Sequence, residues 1–304
     1  MILSTTTTSM FKCFGIEKGI EVAAHAGFDA IDLNLNDYFT LMYQPFSDDF
    51  STEKSEKTCQ LIKKSIANNG IHVNQTHAPF PSRKFYGPVQ AQNFYNTEIH
   101  PRIVESIKIA GMLGSKQIII HPVHLKNDTK EYEKEFNLEF YNSLVPYCKE
   151  YNIKIAVENM YKYDSTLGRM VSSICSTGDE MADFYDSLDS RYFTVCLDIG
   201  HCGLIGCKAE DIIRELGAKR IGALHVHDND GIGDLHTAPY HGKTNWDEVM
   251  KALADIGYEG DLTFEVGDRF LECYINEPEL LSKAYELLAV TGRNLIKKFE
   301  SCKK

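Results

Sequence analysis

The sequence predicts an α/β fold, a single (β/α)8 TIM barrel spanning residues 1–304 as one domain, and three observations predict it. Short β-rich runs alternate with longer amphipathic stretches, the pattern of parallel βαβ units. Eight such runs occur, and eight is the number that closes into a barrel. No low-complexity stretch or Gly/Ser linker divides the chain, and 304 residues suit one barrel with insertions. An open doubly wound sheet is the competing arrangement. A glycine-rich loop after the first strand would favour it, yet Ser4-Thr5-Thr6-Thr7-Thr8 stands there and no G-x-G-x-x-G pattern occurs.

The strand runs are Ile2–Thr6, Phe28–Leu35, Ile71–His77, Gln117–His121, Ile153–Glu158, Tyr192–Asp198, Ile221–His227 and Asp261–Val266. Between them, Tyr95–Leu113 puts Ile99, Ile103, Ile107 and Ala110 on one helical face and stops at Gly114, suited to a left-handed C-cap. Pro101 predicts a kink or a later start, because proline lacks the backbone donor. Trp246–Ile256 repeats the logic, with Asn245 as N-cap, Asp247 and Glu248 in the first turn and Gly257 after the end.

Composition narrows the function classes. With 43% hydrophobic and 25% charged residues the chain is ordinary globular protein, not disordered or collagen-like. No run approaches the ~18 apolar residues of a membrane span. Met1-Ile2-Leu3-Ser4 lacks a basic and then apolar leader, so no signal peptide is expected. Charge is 32 basic minus 43 acidic, or −11, which removes a global basic surface for nucleic acid and leaves only a local patch. The nine scattered cysteines form no C-x-x-C pair and read as reduced thiols of a cytoplasmic protein.

The informative feature is where the strands stop. The third ends at His77, the fourth at His121, the fifth at Glu158-Asn159 and the sixth at Asp198, with His201 three residues on. The seventh ends His225-Val226-His227-Asp228 and the eighth Phe264-Glu265. In a barrel these carboxyl ends converge on the face where active sites sit. Carboxylates and imidazoles without thiolates form a divalent-metal set, and a cation relieves the repulsion among buried carboxylates. Asp234-Leu235-His236 adds two donors from the following loop. A strand that ends in one polar residue is usually just reaching solvent; six in succession argue for a site.

At these residues the chain resembles the xylose isomerase-like barrel superfamily, which includes sugar and sugar-phosphate isomerases and epimerases and the endonuclease IV type of abasic-site nuclease. The likeness runs from Gly27-Phe28-Asp29-Ala30-Ile31-Asp32 to Glu265 through Thr76-His77-Ala78-Pro79, His121-Pro122, Val157-Glu158-Asn159, Leu197-Asp198-Ile199-Gly200-His201 and His225-Val226-His227-Asp228. The resemblance implies a principal ion (manganese, cobalt, magnesium or zinc) held by Glu158, Asp198, His225 and Glu265. In the nuclease branch residues matching His77, His121, His201, Asp234 and His236 hold further zinc, so a second metal or a substrate-binding role stays open for them. Met160-Tyr161-Lys162 after Asn159 and Val266-Gly267 after Glu265 depart from the nuclease pattern, and Pro239 to Val249 looks like the isomerase branch. That loop lacks the acidic residue usual between two glycines, and Lys243 or Thr244 stands in place of the second glycine.

The resemblance therefore implies an isomerase or epimerase acting on a small sugar or sugar phosphate. Glu158 and Glu265 would transfer a proton next to a carbonyl through an enediolate, with a hydride shift as rival. The alternatives are abasic-site cleavage, a lyase or dehydratase on the same scaffold, and a sugar binder without turnover. Arg83-Lys84 beside Phe85-Tyr86 is the one cluster suited to DNA. His124 is placed at the rim of the pocket, and His227 nearer the rim than His225, behind the ligands. Phe80, Phe85 and Tyr86 are candidates for an apolar wall, Trp246 belongs to the core, and His25, His72 and His100 have no assigned role. No membrane partner is expected, and a homo-oligomer is implied by resemblance alone.

Overall fold

The computed structural model describes residues 1–37, 52–81, 99–125, 129–267 and 269–303. Eight parallel strands form the sheet: β1 (Leu3–Thr6), β2 (Ala30–Asn34), β3 (His72–His77), β4 (Gln117–Ile120), β5 (Lys154–Glu158), β8 (Phe193–Asp198), β9 (Ile221–His225) and β10 (Leu262–Phe264). Their order is β10-β1-β2-β3-β4-β5-β8-β9, sequential as a barrel requires. The ring closes between β9 and β10, where Val226 N–H donates to Thr263 O at 2.9 Å and Glu265 N–H to Val226 O at 3.2 Å. Each expected strand is present, shorter by one or two residues at one end or, for β2 and β10, at both. After β5 the chain makes an antiparallel hairpin, β6 (Tyr161–Asp164) and β7 (Arg169–Ser172).

Around the barrel lie α1 (Thr8–Ala26), α2 (Thr52–Asn69), α3 (His100–Leu113), α4 (Lys130–Tyr151), α5 (Gly178–Asp186), α6 (Ile199–Leu204), α7 (Ala209–Leu216), α8 (Trp246–Asp255) and α9 (Pro278–Cys302). Pro101 sits in the first turn of α3, where the missing N–H costs nothing, and the described part of this helix begins at His100. Residues 95–98, like Arg83, Lys84, Phe85 and Tyr86, lie outside the described residues. Asn245 caps α8 as expected, accepting from Glu248 N–H. No helix among the described residues is long and apolar enough to cross a membrane.

The outward faces of the strands (Ile31, Leu33, Val73, Ile118, Ile155, Val195 and Leu224) pack under the helices at no more than 3% exposure. The barrel interior is layered. At its base Ser4 Oγ donates to Asn74 Oδ1 at 2.8 Å, and Asn74 Nδ2 donates to Thr263 Oγ1 at 3.0 Å. Ile119, Ala156, Cys196 and Ala223 form a small apolar cluster separate from the outer core. Polar strand ends lie above it.

Two register slips decide which residues face inward. Between β2 and β3 the pairing passes from Ile31↔Val73 to Asp32↔Gln75, skipping Asn74. Between β8 and β9 it passes from Val195↔Ile221 to Cys196↔Ala223, skipping Gly222. A bulge of one residue reverses the alternation beyond it. His77 and His225 therefore turn into the barrel, although Val73 and Ile221 on the same strands pack outward. Gly222 is required here: a Cβ would lie 2.2 Å from Thr194 Oγ1 and 3.0 Å from Thr194 Cβ.

The C-terminal helix locks the first strands to the last. Gly292 lets α9 approach the sheet, since a Cβ there would lie 2.4 Å from Leu3 Cδ1 and 2.8 Å from Phe264 Cε2. Arg293 forks onto Asp29 at 2.7 and 2.9 Å, and Asp29 also accepts from Leu3 N–H at 2.8 Å. Partial burial pushes the Asp29 carboxyl up, but these donors outweigh it and hold it below the usual range.

Two outcomes follow from this framework. Gly222→Ala should destabilise by about 1–3 kcal/mol through overpacking, lowering Tm by roughly 2–10 °C, with partial recovery on adding Thr194→Ala. Because the folded pKa of Asp29 is depressed, its contribution is present above the unfolded value of about 3.9 and fades as pH falls below it. Wild type should thus exceed Asp29→Asn in denaturant midpoint at neutral pH, and the gap should close in acid; a gap independent of pH would contradict the assignment.

Candidate metal centre and active site

The carboxyl ends of six barrel strands bring the candidate donors together. Ligand atoms of Glu158, Asp198, His225 and Glu265 all lie within 4.8 Å of one another. His225 Nδ1 is 3.1 Å from Glu158 Oε1 and 3.3 Å from Glu265 Oε2. A second group within the same span joins His201, His227, Asp234 and His236. His77 joins Glu158 and His225 in a third, with His121 Nε2 2.8 Å from Glu158 Oε2. All nine residues singled out in the sequence thus meet at one mouth.

Local structure orients them. Asn159 clamps the neighbouring strand end: its Nδ2 donates to Asp198 O at 3.0 Å and its Oδ1 accepts Asp198 N–H at 2.6 Å. Asp198 Oδ1 caps α6 by accepting His201 N–H at 2.7 Å. His236 adopts φ +42°, an uncommon left-handed conformation that turns its ring over the mouth.

Hydrogen bonds set the tautomers. His77 Nδ1 lies 2.7 Å from Ala78 O, His201 Nδ1 2.8 Å from Asn159 O, and His236 Nδ1 2.9 Å from Glu265 O. A carbonyl only accepts, so each Nδ1 carries hydrogen and each Nε2 is left to the site. There, His77 Nε2 is 3.0 Å from His121 Nε2, and His236 Nε2 is 3.0 Å from Asp234 Oδ2. Such contacts need a proton or a cation between them. Asp234 Oδ1 is buried without a hydrogen-bond partner. Oxygen and nitrogen donors, preset rings and an unpartnered carboxylate oxygen fit a divalent ion.

Burial and neighbouring charge act in opposite directions on these groups. Burial raises the Glu158 carboxyl, but His225 and His121 outweigh it and hold it well below the usual range. Burial lowers His201, yet Asp198, Asp234 and Glu158 push it up to about 10. His236 is raised against burial by Glu265 and Asp234. Of the touching pair, burial outweighs Glu158 and depresses His121, while Glu158 and Glu265 outweigh burial and raise His77.

A cavity of about 260 Å³ opens over the carboxylates. Phe80, Pro81, Pro122 and Met160 give it an apolar side, facing His121, Glu158, His236 and Glu265. His124 lines it, as expected, and Trp246 is buried, donating Nε1–H to Asp228 at 2.9 Å. His227 departs from expectation. It is fully buried, not near the rim, because Gly200 leaves room for its ring: a Cβ there would lie 2.1 Å from His227 Cε1. It meets Asp198 Oδ2 at 3.0 Å and stacks on His236 at 4.1 Å.

Two further residues escaped the sequence reading. Tyr161, first in the hairpin, donates to Asp234 Oδ2 at 2.8 Å, and nothing in the sequence signals it. Asp32 lies 3.1 Å from His225 Nε2. The signal for it was available, since it stands near the end of β2 as the other donors stand on theirs.

The sequence profile of the family described as xylose isomerase-like TIM barrel matches residues 20–289. The uncharacterized protein y4fM of Sinorhizobium fredii is 26% identical over 84% of this chain and 83% of its own length. D-psicose 3-epimerase of Ruminiclostridium cellulolyticum is 23% identical over 81% and 76%, and a probable endonuclease 4 of Acholeplasma laidlawii 23% over 78% and 81%. Among solved structures, a D-psicose 3-epimerase in the presence of D-fructose superposes with a TM-score of 0.69 at 17% identity, covering 97% of this chain and 99% of that one. An IolI protein with a zinc atom gives 0.69 at 16% identity, covering 99% of each chain. These structural likenesses speak to the fold.

If the donor groups hold an ion, zinc or manganese added to chelator-treated protein should raise Tm progressively with concentration, by about 2.7 kcal/mol of stability at a hundredfold excess over Kd. Unchanged melting across the titration of both metals would count against the centre.

Proposed function

The chain belongs to the xylose isomerase-like TIM barrel family, and from that membership we propose that it is a divalent-metal-dependent sugar epimerase or isomerase. The observation that carries the reading is that Glu158, ending β5, and Glu265, just after β10, bring their carboxylates to one imidazole nitrogen, His225 Nδ1, under a single cavity. Glu158, Asp198, His225 and Glu265 would hold the ion (manganese, cobalt, magnesium or zinc), and His201, Asp234 and His236, with His77 and His121, would take a second ion or substrate oxygens. A bound divalent ion supplies Lewis acidity to the carbonyl and neighbouring hydroxyl oxygens of a substrate.

The residues do the rest. One glutamate takes the proton from the carbon beside the carbonyl; the other returns a proton from the opposite face, which inverts that carbon. Glu158 is fully buried and Glu265 is 17% exposed, so the two differ in access to solvent as well as in strand of origin. A cavity of about 260 Å³ is smaller than the ~300–1,000 Å³ typical of drug-sized ligands, which suits a single sugar or sugar phosphate. The apolar side formed by Phe80 and Met160 suits the carbon face of a polyol.

Abasic-site cleavage is the second reading, favoured by the convergence of all nine donors and by the endonuclease 4 relative. Phosphate contacts supply most non-specific DNA affinity, and a net charge of −11 opposes it.

A panel of ketoses and aldoses, free and phosphorylated, assayed with each metal should reveal metal-dependent turnover. Glu158→Gln and Glu265→Gln should each reduce it on the order of 10²-fold or more. Turnover in D₂O should place deuterium at the reacting carbon; retention of hydrogen there would replace proton transfer by a hydride shift. Metal-dependent incision of an abasic duplex at catalytic protein levels, with no sugar turned over, would move the nuclease to first place.

A further inference from the structure

We infer that Asp32 is a positioning residue, whose carboxylate on β2 holds the His225 ring so that Nδ1 alone is offered to the group formed with Glu158, Asp198 and Glu265. The inference rests on reading that group as a metal centre. His225 has two ring nitrogens, and both are committed by geometry. Nε2 lies 3.1 Å from Asp32 Oδ2, while Nδ1 lies 3.1 Å from Glu158 Oε1 and 3.3 Å from Glu265 Oε2. Asp32 is 1% exposed and His225 is fully buried, so no water competes for the contact.

A carboxylate oxygen at that distance requires a hydrogen on Nε2. The other tautomer would press a lone pair against a buried anion. With Nε2 donating to Asp32, Nδ1 keeps its lone pair for a cation. A carboxylate behind a histidine ligand also raises the basicity of the ring and fixes its plane.

Asp32 is itself fixed. Gln75 Nε2 donates to the same Oδ2 at 3.0 Å. Gln75 stands opposite Asp32 because the register slips past Asn74. In an unbroken register Asn74 would take that place, yet its side chain is spent at the barrel base on Ser4 and Thr263. The bulge thus serves two layers at once. Asp32 does not border the cavity over Glu158, so it acts through His225 and not on a ligand directly.

The test reads metal affinity and needs no sugar. Zinc and manganese dissociation constants are measured by chelator competition for wild type, Asp32→Asn, His225→Ala and the double variant, with circular dichroism of each metal-free protein as the check on folding. Asp32→Asn should weaken binding by about 10–100-fold, and should add nothing once His225 is alanine. Gln75→Met, which removes the amide that steadies Asp32, provides a milder perturbation should Asp32→Asn unfold; it should weaken binding a few-fold, again only when His225 is present. Wild-type affinity in both variants, or an equal loss in the His225→Ala background, would overturn the inference. The proposed function fails separately, if metal binds as described and no sugar is turned over.

Discussion

The whole barrel mouth depends on burying the Glu158 carboxylate where water cannot reach it. An isolated buried charge is costly, and compensation must come from groups held at contact distance. Two barrel strands supply it, His121 from the end of β4 and His225 from β9, while the Asp198–Asn159 clamp ties β8 to the residue after Glu158. The carboxylates in turn outweigh burial and raise His77, His201, His225 and His236. A divalent ion held at this mouth would balance the carboxylates with fewer protons.

The scaffold beneath is built for that demand. Hydrogen-bonded Ser4, Asn74 and Thr263 close the base of the barrel, and four small or medium side chains fill its waist. The charged strand ends are then held above a dry floor. A low local dielectric strengthens each pairing, and it also makes any unpaired member expensive. The tautomers imposed by the carbonyls of Ala78, Asn159 and Glu265 show how backbone geometry selects the nitrogen each ring presents.

Much of this was legible in the sequence. Strand ends from His77 to Glu265 announce a convergent face once eight βα units are counted, and the loop pair Asp234 and His236 joins them. What was hidden depends on register. The place of Asp32 near the end of β2 is legible; its contact with His225 is not. The slips at Asn74 and Gly222 leave no mark in a hydrophobic pattern, because polar and small residues are tolerated at a bulge. His227 was placed too near the surface because the room made by Gly200 is a property of packing, invisible in spacing. Tyr161 arrives on a hairpin that interrupts the barrel repeat.

The closing seam of the ring has a consequence of its own. β10 is three residues long, and the sheet closes against β9 through a single bridge at Val226 and Phe264. His225 stands just before that bridge on one side and Glu265 just after it on the other, with Nδ1 and Oε2 3.3 Å apart. Anything that grips both residues therefore stitches the narrowest joint of the cylinder. Occupancy of the mouth and integrity of the ring become one linked equilibrium, and a loosened seam would pull the donors apart before any helix needed to unfold.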